Sequence, residues 1–284
     1  MRRVCSLVLF VVLANAIPAF PQTPDGEARP IVVQGAMQIE VEKLVGRLEN
    51  ATLEQIGGWN FWRGTVNGYP VIVSKTLKGI ANAAAATVLA IERYHPIAIV
   101  NQGTAGGLDP ELRLYDIVIG TSSVSLGAFK TPYRARGAGS STLDWVPLNL
   151  MAADGSAASG DPRARTVARF AAAEPLIAAA RETKPQYKRG RVVEGVIGSA
   201  DMWNDELDRI ARFRSEYDTI VEEMETAAAA QVAALLSTPF LGIRVVSDNA
   251  TNGGAWDPKT SEACEDFVYE VIKTYLDRVK ASRD

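Results

Sequence analysis

The residues able to do chemistry sit in a few short stretches. Phe240 to Asp248 reads Phe-Leu-Gly-Ile-Arg-Val-Val-Ser-Asp, a buried-strand pattern broken by Arg244 and closed by Ser247 and Asp248. A charge inside a central strand costs several kcal/mol, of the order of 3–5, unless it is paired or lines a site. Glu40 follows the turn at Gly35, Thr104 lies in a glycine-rich loop from Asn101 to Gly107, and Glu223 and Glu225 follow Val221. Each of these groups falls where a strand ends, the edge at which open α/β sheets bind ligands. Carboxylates gathered there, with no nucleophilic cysteine and no histidine beside them, suit a reaction with a cationic transition state, such as an oxocarbenium ion at a sugar carbon. Taken singly, each carboxylate also reads as a solvated surface group, and Arg244 with Asp248 as a structural ion pair.

Other chemistries fit poorly. The chain has one histidine, His95, in a helix-to-strand turn, where a capping or surface role fits better than catalysis. Two cysteines, Cys5 and Cys264, leave no His and Cys set for zinc. No G-x-S-x-G elbow is present, and Gly103-Thr104-Ala105-Gly106-Gly107 has neither the Lys-Ser/Thr ending of a P-loop nor dinucleotide-site spacing. The net charge of -3 and pI near 5.5 give no basic surface for nucleic acid. A small molecule or another subunit is the expected partner, and no cofactor or metal is called for.

The elements that must position these groups alternate. Ile31 to Val33 reads as a strand, Gln38 to Glu49 as a helix, Trp59 to Thr76 as an antiparallel ribbon about Asn67-Gly68, Gly79 to Tyr94 as an alanine-rich helix, and Pro96 to Val100 and Asp116 to Ile119 as strands. Ala128 to Arg169 loses the pattern and is expected to be a long loop anchored by Trp145 and Leu148, serving as a specificity lid. Beyond it come a helix at 175–182, a strand at 192–197, a helix at 205–215, a strand at 219–221, a helix at 226–236, the Phe240 strand and a last helix at 260–279. The expected fold is a single three-layer α/β domain over 31–284, a mixed central β-sheet flanked by helices. Before it, 1–16 reads as a signal peptide, with Arg2 and Arg3, an apolar run from Val4 to Ala14 and the small-residue site Ala14-Asn15-Ala16. Residues 17–30 form a flexible lead. The apolar run is shorter than the roughly 20 residues a membrane span needs, so a periplasmic or secreted protein, free of the membrane after cleavage, is the expectation.

Gly35-Ala36-Met37 with Glu40, Lys78-Gly79-Ile80, Asn101 to Gly107, Ser199-Ala200-Asp201, Glu223-Met224-Glu225 and Arg244 with Ser247-Asp248 follow one another in an order that resembles the methylthioadenosine/S-adenosylhomocysteine nucleosidases of the purine nucleoside phosphorylase superfamily. The resemblance implies a nucleoside phosphorylase-like fold, a homodimer, and hydrolysis of the N-glycosidic bond of an adenine nucleoside. It implies Asp248 as the acid that protonates purine N7 with the help of Ser247, and Glu40 as the group that activates water, with Arg244 and Thr104 placing it. Glu225, beside Glu223, would bind the ribose hydroxyls, Met224 would pack under the ribose, Met37 would lie near the 5′ substituent and Trp203 would stack on the purine. Core packing is the other reading of Met37, Met224 and Trp203. The sequence departs from the family's Ser-Gly-Asp at Ala200. Phosphorolytic relatives carry cationic clamps where this chain has Gln38 to Glu40 and Asn101-Gln102, so water is the expected nucleophile. A phosphate-using phosphorylase and a non-catalytic secreted binding or storage protein are the alternatives.

Overall fold

The structure, a computed structural model, describes residues 28–152 and 165–281. The expected signal peptide and most of the flexible lead lie outside these residues. Strands β1 (Ile31–Gly35), β2 (Glu49–Ile56), β3 (Trp59–Val66), β4 (Tyr69–Lys75), β5 (Ala98–Gly107) and β6 (Ile117–Ser125) make up the first half. Four two-residue strands follow, β7 (Phe129–Lys130), β8 (Val146–Pro147), β9 (Leu150–Met151) and β10 (Thr166–Val167). Then come β11 (Phe170–Ala171), β12 (Val192–Ser199), β13 (Thr219–Glu223) and β14 (Phe240–Asp248). The helices are α1 (Glu42–Gly46), α2 (Ile80–Tyr94), α3 (Glu174–Thr183), α4 (Leu207–Tyr217), α5 (Thr226–Leu235) and α6 (Thr260–Ala281).

Ten strands form one mixed sheet. Buried aliphatic runs such as Ile31 to Val33 and Ile117 to Ile119 take its centre because both faces are covered. Leu44, Leu176 and Phe267 of α1, α3 and α6 close one face, and Ala90 and Ala229 of α2 and α5 the other, giving three layers. Within this sheet β5, β14, β6, β12 and β13 pair in a ring, β14 bonding to both β5 and β6 and β13 returning to β5. The sheet therefore closes into a small barrel at one end. Ala105, Val118, Ile197, Val221 and Val246 fill it.

Several expectations need correction. The helix over 38–49 is a 3-10 turn, Gln38–Glu40, followed by the five-residue α1, after which the chain enters β2. That strand is missed because it lies at the sheet edge with most of its residues exposed, so it carries no apolar alternation. The glycine-rich run is not a loop but the second half of β5. Its glycines serve close approach: a Cβ on Gly103, at φ +154°, would stand 2.6 Å from Glu40 Oε1. Between 128 and 152 the β7–β8 ribbon packs on α4 through Phe129 and Phe213, with Trp145 5.8 Å from Phe129, and β9, paired with β10, packs beside α5, while Leu148 is half-exposed rather than an anchor. His95 ends α2 in the left-handed region at φ +46°, which is the capping role. Among the described residues no helix is long and apolar enough to cross a membrane.

Candidate active site

A cleft of about 810 Å³, open solvent included, lies along the C-terminal half of β5. Glu40, Thr104, Met37, Met224 and Glu225 line one end, and Ser247, Asp248, Trp203 and Glu222 the other. The turn after β1 brings Glu40 beside β5. Ala36 N–H and Met37 N–H each donate to Glu40 Oε2 at 2.9 Å, and Thr104 donates to Oε1 through N–H at 2.8 Å and Oγ1 at 2.9 Å. Four donors thus fix this carboxylate, and only the Thr104 hydroxyl among them can rotate.

At the other end a bulge in β14 between Val246 and Asp248 re-aims the last two residues of the strand. Ser247 Oγ donates to Asp248 Oδ1 at 2.7 Å and also lies 3.2 Å from the Ala105 carbonyl. Asp248 Oδ2 stands over Gly106, 3.2 Å from where a Cβ would be. Burial raises the Asp248 carboxyl above its ordinary range; the Ser247 hydrogen bond opposes this and Asp205 adds to it. A proton held there is available to a basic atom in the cleft.

Between the ends, Glu225 accepts from Gly79 N–H at 2.9 Å through Oε1. Burial first, and then the neighbouring Glu223, push its carboxyl up to about 8. The loop after β12 is tied to the same place: Asp201 Oδ1 accepts Ile80 N–H at 2.8 Å, so the start of α2 is held by Glu225 and Asp201 together. Trp203, on that loop, is 59 % exposed and borders the cleft, as does Trp256, 51 % exposed, from the turn after β14.

Arg244 does not face the cleft, which corrects its expected place beside the water. Its Nε donates to Glu223 Oε2 at 3.0 Å, its Nη1 to the carbonyls of Asn101 and Ile243, and its Nη2 to Asn101 Oδ1 and Glu223 Oε2. These bonds occupy all five guanidinium donors, leaving none for a ligand. Glu223, expected to bind substrate, borders the cleft, yet its carboxylate is taken by Arg244, Ser199, Thr226 and the N–H of Glu225. Burial pushes this carboxyl up, but Arg244 and Ser199 outweigh it and hold it below the usual range. The pair is a buried anchor that caps α5 and sets Glu225, not a binding group. Nor does any described residue of 128–169 border the cleft, so those residues do not form a lid over it.

Trp256, Glu222 and Asn204 border the cleft although the sequence reading does not single them out, and Lys78, from the Lys78-Gly79-Ile80 motif, borders it too. Trp256 carried a usable signal, an aromatic in an Asn- and Gly-rich turn directly after the strand of Asp248. Glu222 was masked by its neighbours Glu223 and Glu225. Among the described residues no cluster of His, Cys, Asp and Glu could hold a metal ion.

A closed mixed barrel with carboxylates at the strand ends defines a class, and residues 30–281 match the model of the phosphorylase superfamily. The chain is 32% identical over 253 residues to the 5′-methylthioadenosine/S-adenosylhomocysteine nucleosidase of Bacillus cytotoxicus, covering 86% of this chain and 98% of that protein. Identity to the corresponding Bacillus thuringiensis enzyme is 33% over 225 residues, 78% of this chain and 86% of the relative. The nucleosidase of Neisseria meningitidis, solved with methylthio-immucillin-A, superposes with a TM-score of 0.69 at 26% identity, covering 87% of this chain and all, 100%, of that one. The Helicobacter pylori futalosine hydrolase shares the fold, with a TM-score of 0.68 at 21% identity over 86% of this chain and 97% of that one. The chain therefore belongs to the methylthioadenosine/S-adenosylhomocysteine nucleosidase family, a family of hydrolases acting on N-glycosyl bonds.

Proposed function

We propose that the protein hydrolyses adenine nucleosides such as methylthioadenosine or S-adenosylhomocysteine, releasing adenine. The observation that carries this reading is the placement of two carboxyl groups with opposite environments along β5. Glu40 bonds to Thr104 and Asp248 lies over Gly106, two residues along the strand, or roughly 7 Å at about 3.3 Å per residue. In this reading Glu40 takes the water side of the cleft and Asp248 the side of the base. Asp248 protonates N7, so the base leaves neutral, and Ser247 keeps Oδ1 occupied so that Oδ2 presents the proton. Glu40 receives a proton from the attacking water when the Thr104 hydroxyl rotates away from Oε1. Glu225 accepts the ribose hydroxyls, and its attraction to them strengthens as positive charge grows on the sugar. Met224 packs below the ribose, Met37 beside the 5′ group, and Trp203 against the purine.

Phosphate as nucleophile is disfavoured because Glu40 stands where a dianion would bind and Arg244 has no free donor. The start of the chain supports export, since Arg2, Arg3, the Val4 to Ala14 run and Ala14-Asn15-Ala16 follow the order of a signal peptide. A homodimer is part of the same proposal. Incubation of the protein lacking residues 1–16 with a panel of 5′-substituted adenosines, with and without phosphate, tests it. Free adenine formed at the same rate in both is the expected result; release that requires phosphate makes the protein a phosphorylase, and no release makes it a binding protein.

A further inference from the structure

We infer that Glu222, held by Asn204, reads the 6-substituent of the leaving purine and selects a 6-amino base over a 6-oxo base. This rests on the nucleosidase reading above. Glu222 and Asp248 are both register partners of Gly106, one on β13 and the other on β14, on the two sides of β5. Cross-strand partners point to the same face, and Gly106 has no side chain, so the two carboxyls flank a bare stretch of backbone in the cleft. Glu222 is buried, and a buried carboxyl needs hydrogen-bond partners to remain ionised. Only Asn204 bonds to it among the described residues, through its backbone N–H at 3.2 Å and its side-chain amide. A carboxylate has about four acceptor positions, so roughly two stay open.

On a purine, N7 and the 6-substituent share one edge. A base that turns N7 to Asp248 sets its 6-substituent beside it, on the side of Glu222. An ionised carboxylate accepts from an amino group there and repels a carbonyl oxygen. Arg209 of α4 faces Glu222 from behind, its guanidinium 5.1 Å from the Phe213 ring centroid, while Glu223 lies next along the strand and Asp248 across Gly106. Burial pushes the Glu222 carboxyl up to about 7, Asn204 and Arg209 opposing it, so the neutral form, which can donate to a carbonyl, gains population below that pH.

The test compares kcat/KM for 5′-methylthioadenosine and 5′-methylthioinosine in the wild type, Glu222→Gln and Glu222→Leu at pH 6 and pH 8, with thermal melts confirming folding. The wild type is expected to prefer the 6-amino substrate at pH 8, and less so at pH 6. Glu222→Gln, whose amide offers both a donor and an acceptor, should narrow that preference about tenfold and flatten its pH dependence; Glu222→Leu should lower the 6-amino substrate about tenfold or more. A preference unchanged within about twofold in Glu222→Gln, with both substrates still turned over, overturns the role of Glu222 alone. A wild type that cleaves neither substrate overturns the nucleosidase reading, and this inference with it.

Discussion

Arg244 and Asp248 stand four residues apart on one strand, yet they meet opposite surroundings. Arg244 has every donor taken, its carboxylate partner Glu223 is likewise surrounded, and neither has a free position for a ligand. Asp248 has one oxygen held by Ser247 and the other left toward the cleft, in an environment that favours its proton. Charge that is fully partnered builds the site, and charge left partly unpartnered stays open to a ligand. Glu40 combines the two, with three fixed donors and one that rotates.

Breaking the anchor should therefore damage the fold first. Arg244→Met leaves Glu223 buried without its cation and is expected to cost about 3–5 kcal/mol of stability, read as a lower denaturation midpoint. A variant that melts like the wild type would show that the pair is not the anchor described. At the open end of the contrast, Glu40→Gln should lower kcat by about 10²–10⁴ with little change in melting temperature. Gly103→Ala sharpens the link between the two. Its Cβ would meet Glu40 Oε1 at 2.6 Å, so activity should fall by about tenfold or more although no reacting group is altered.

A smaller effect concerns pH. Glu225 is raised to about 8 when folded, so its contribution is fully present below the unfolded carboxylate value and is lost as pH rises through about 8. Melting temperature should fall between pH 6 and pH 9 by roughly 2–4 °C for each kcal/mol lost, and Glu225→Gln should flatten that slope. Ser247→Ala should have the least effect, about tenfold or less on kcat, because it frees Asp248 Oδ1 without removing the acid.

The contrast also explains how much was legible in the sequence. Buried strands announce themselves through runs such as Ile31 to Val33, the helices α2 and α6 through their apolar spacing, and α5 through its alanine content. The edge strand β2 lacks that pattern, and barrel closure depends on β14 pairing with β5 and β6, a long-range choice that local spacing does not encode. At the site, sequence shows which residues are charged but not how many partners each one meets. The family resemblance therefore sets Arg244 at the water, whereas its donors point to Asn101, Ile243 and Glu223. Gly103, Gly106 and Gly107 read as a loop because a missing side chain looks the same whether the backbone bends or a carboxylate leans on it.

The proposed hydrolysis depends on the open carboxyl, Asp248, delivering a proton to the leaving base. Asp248→Asn measures it most directly, in a single-turnover assay of adenine release from 5′-methylthioadenosine. Adenine release at least about a hundredfold slower, in a variant that keeps the wild-type melting temperature, is the predicted result. Release at the wild-type rate in that folded variant would rule Asp248 out as the acid.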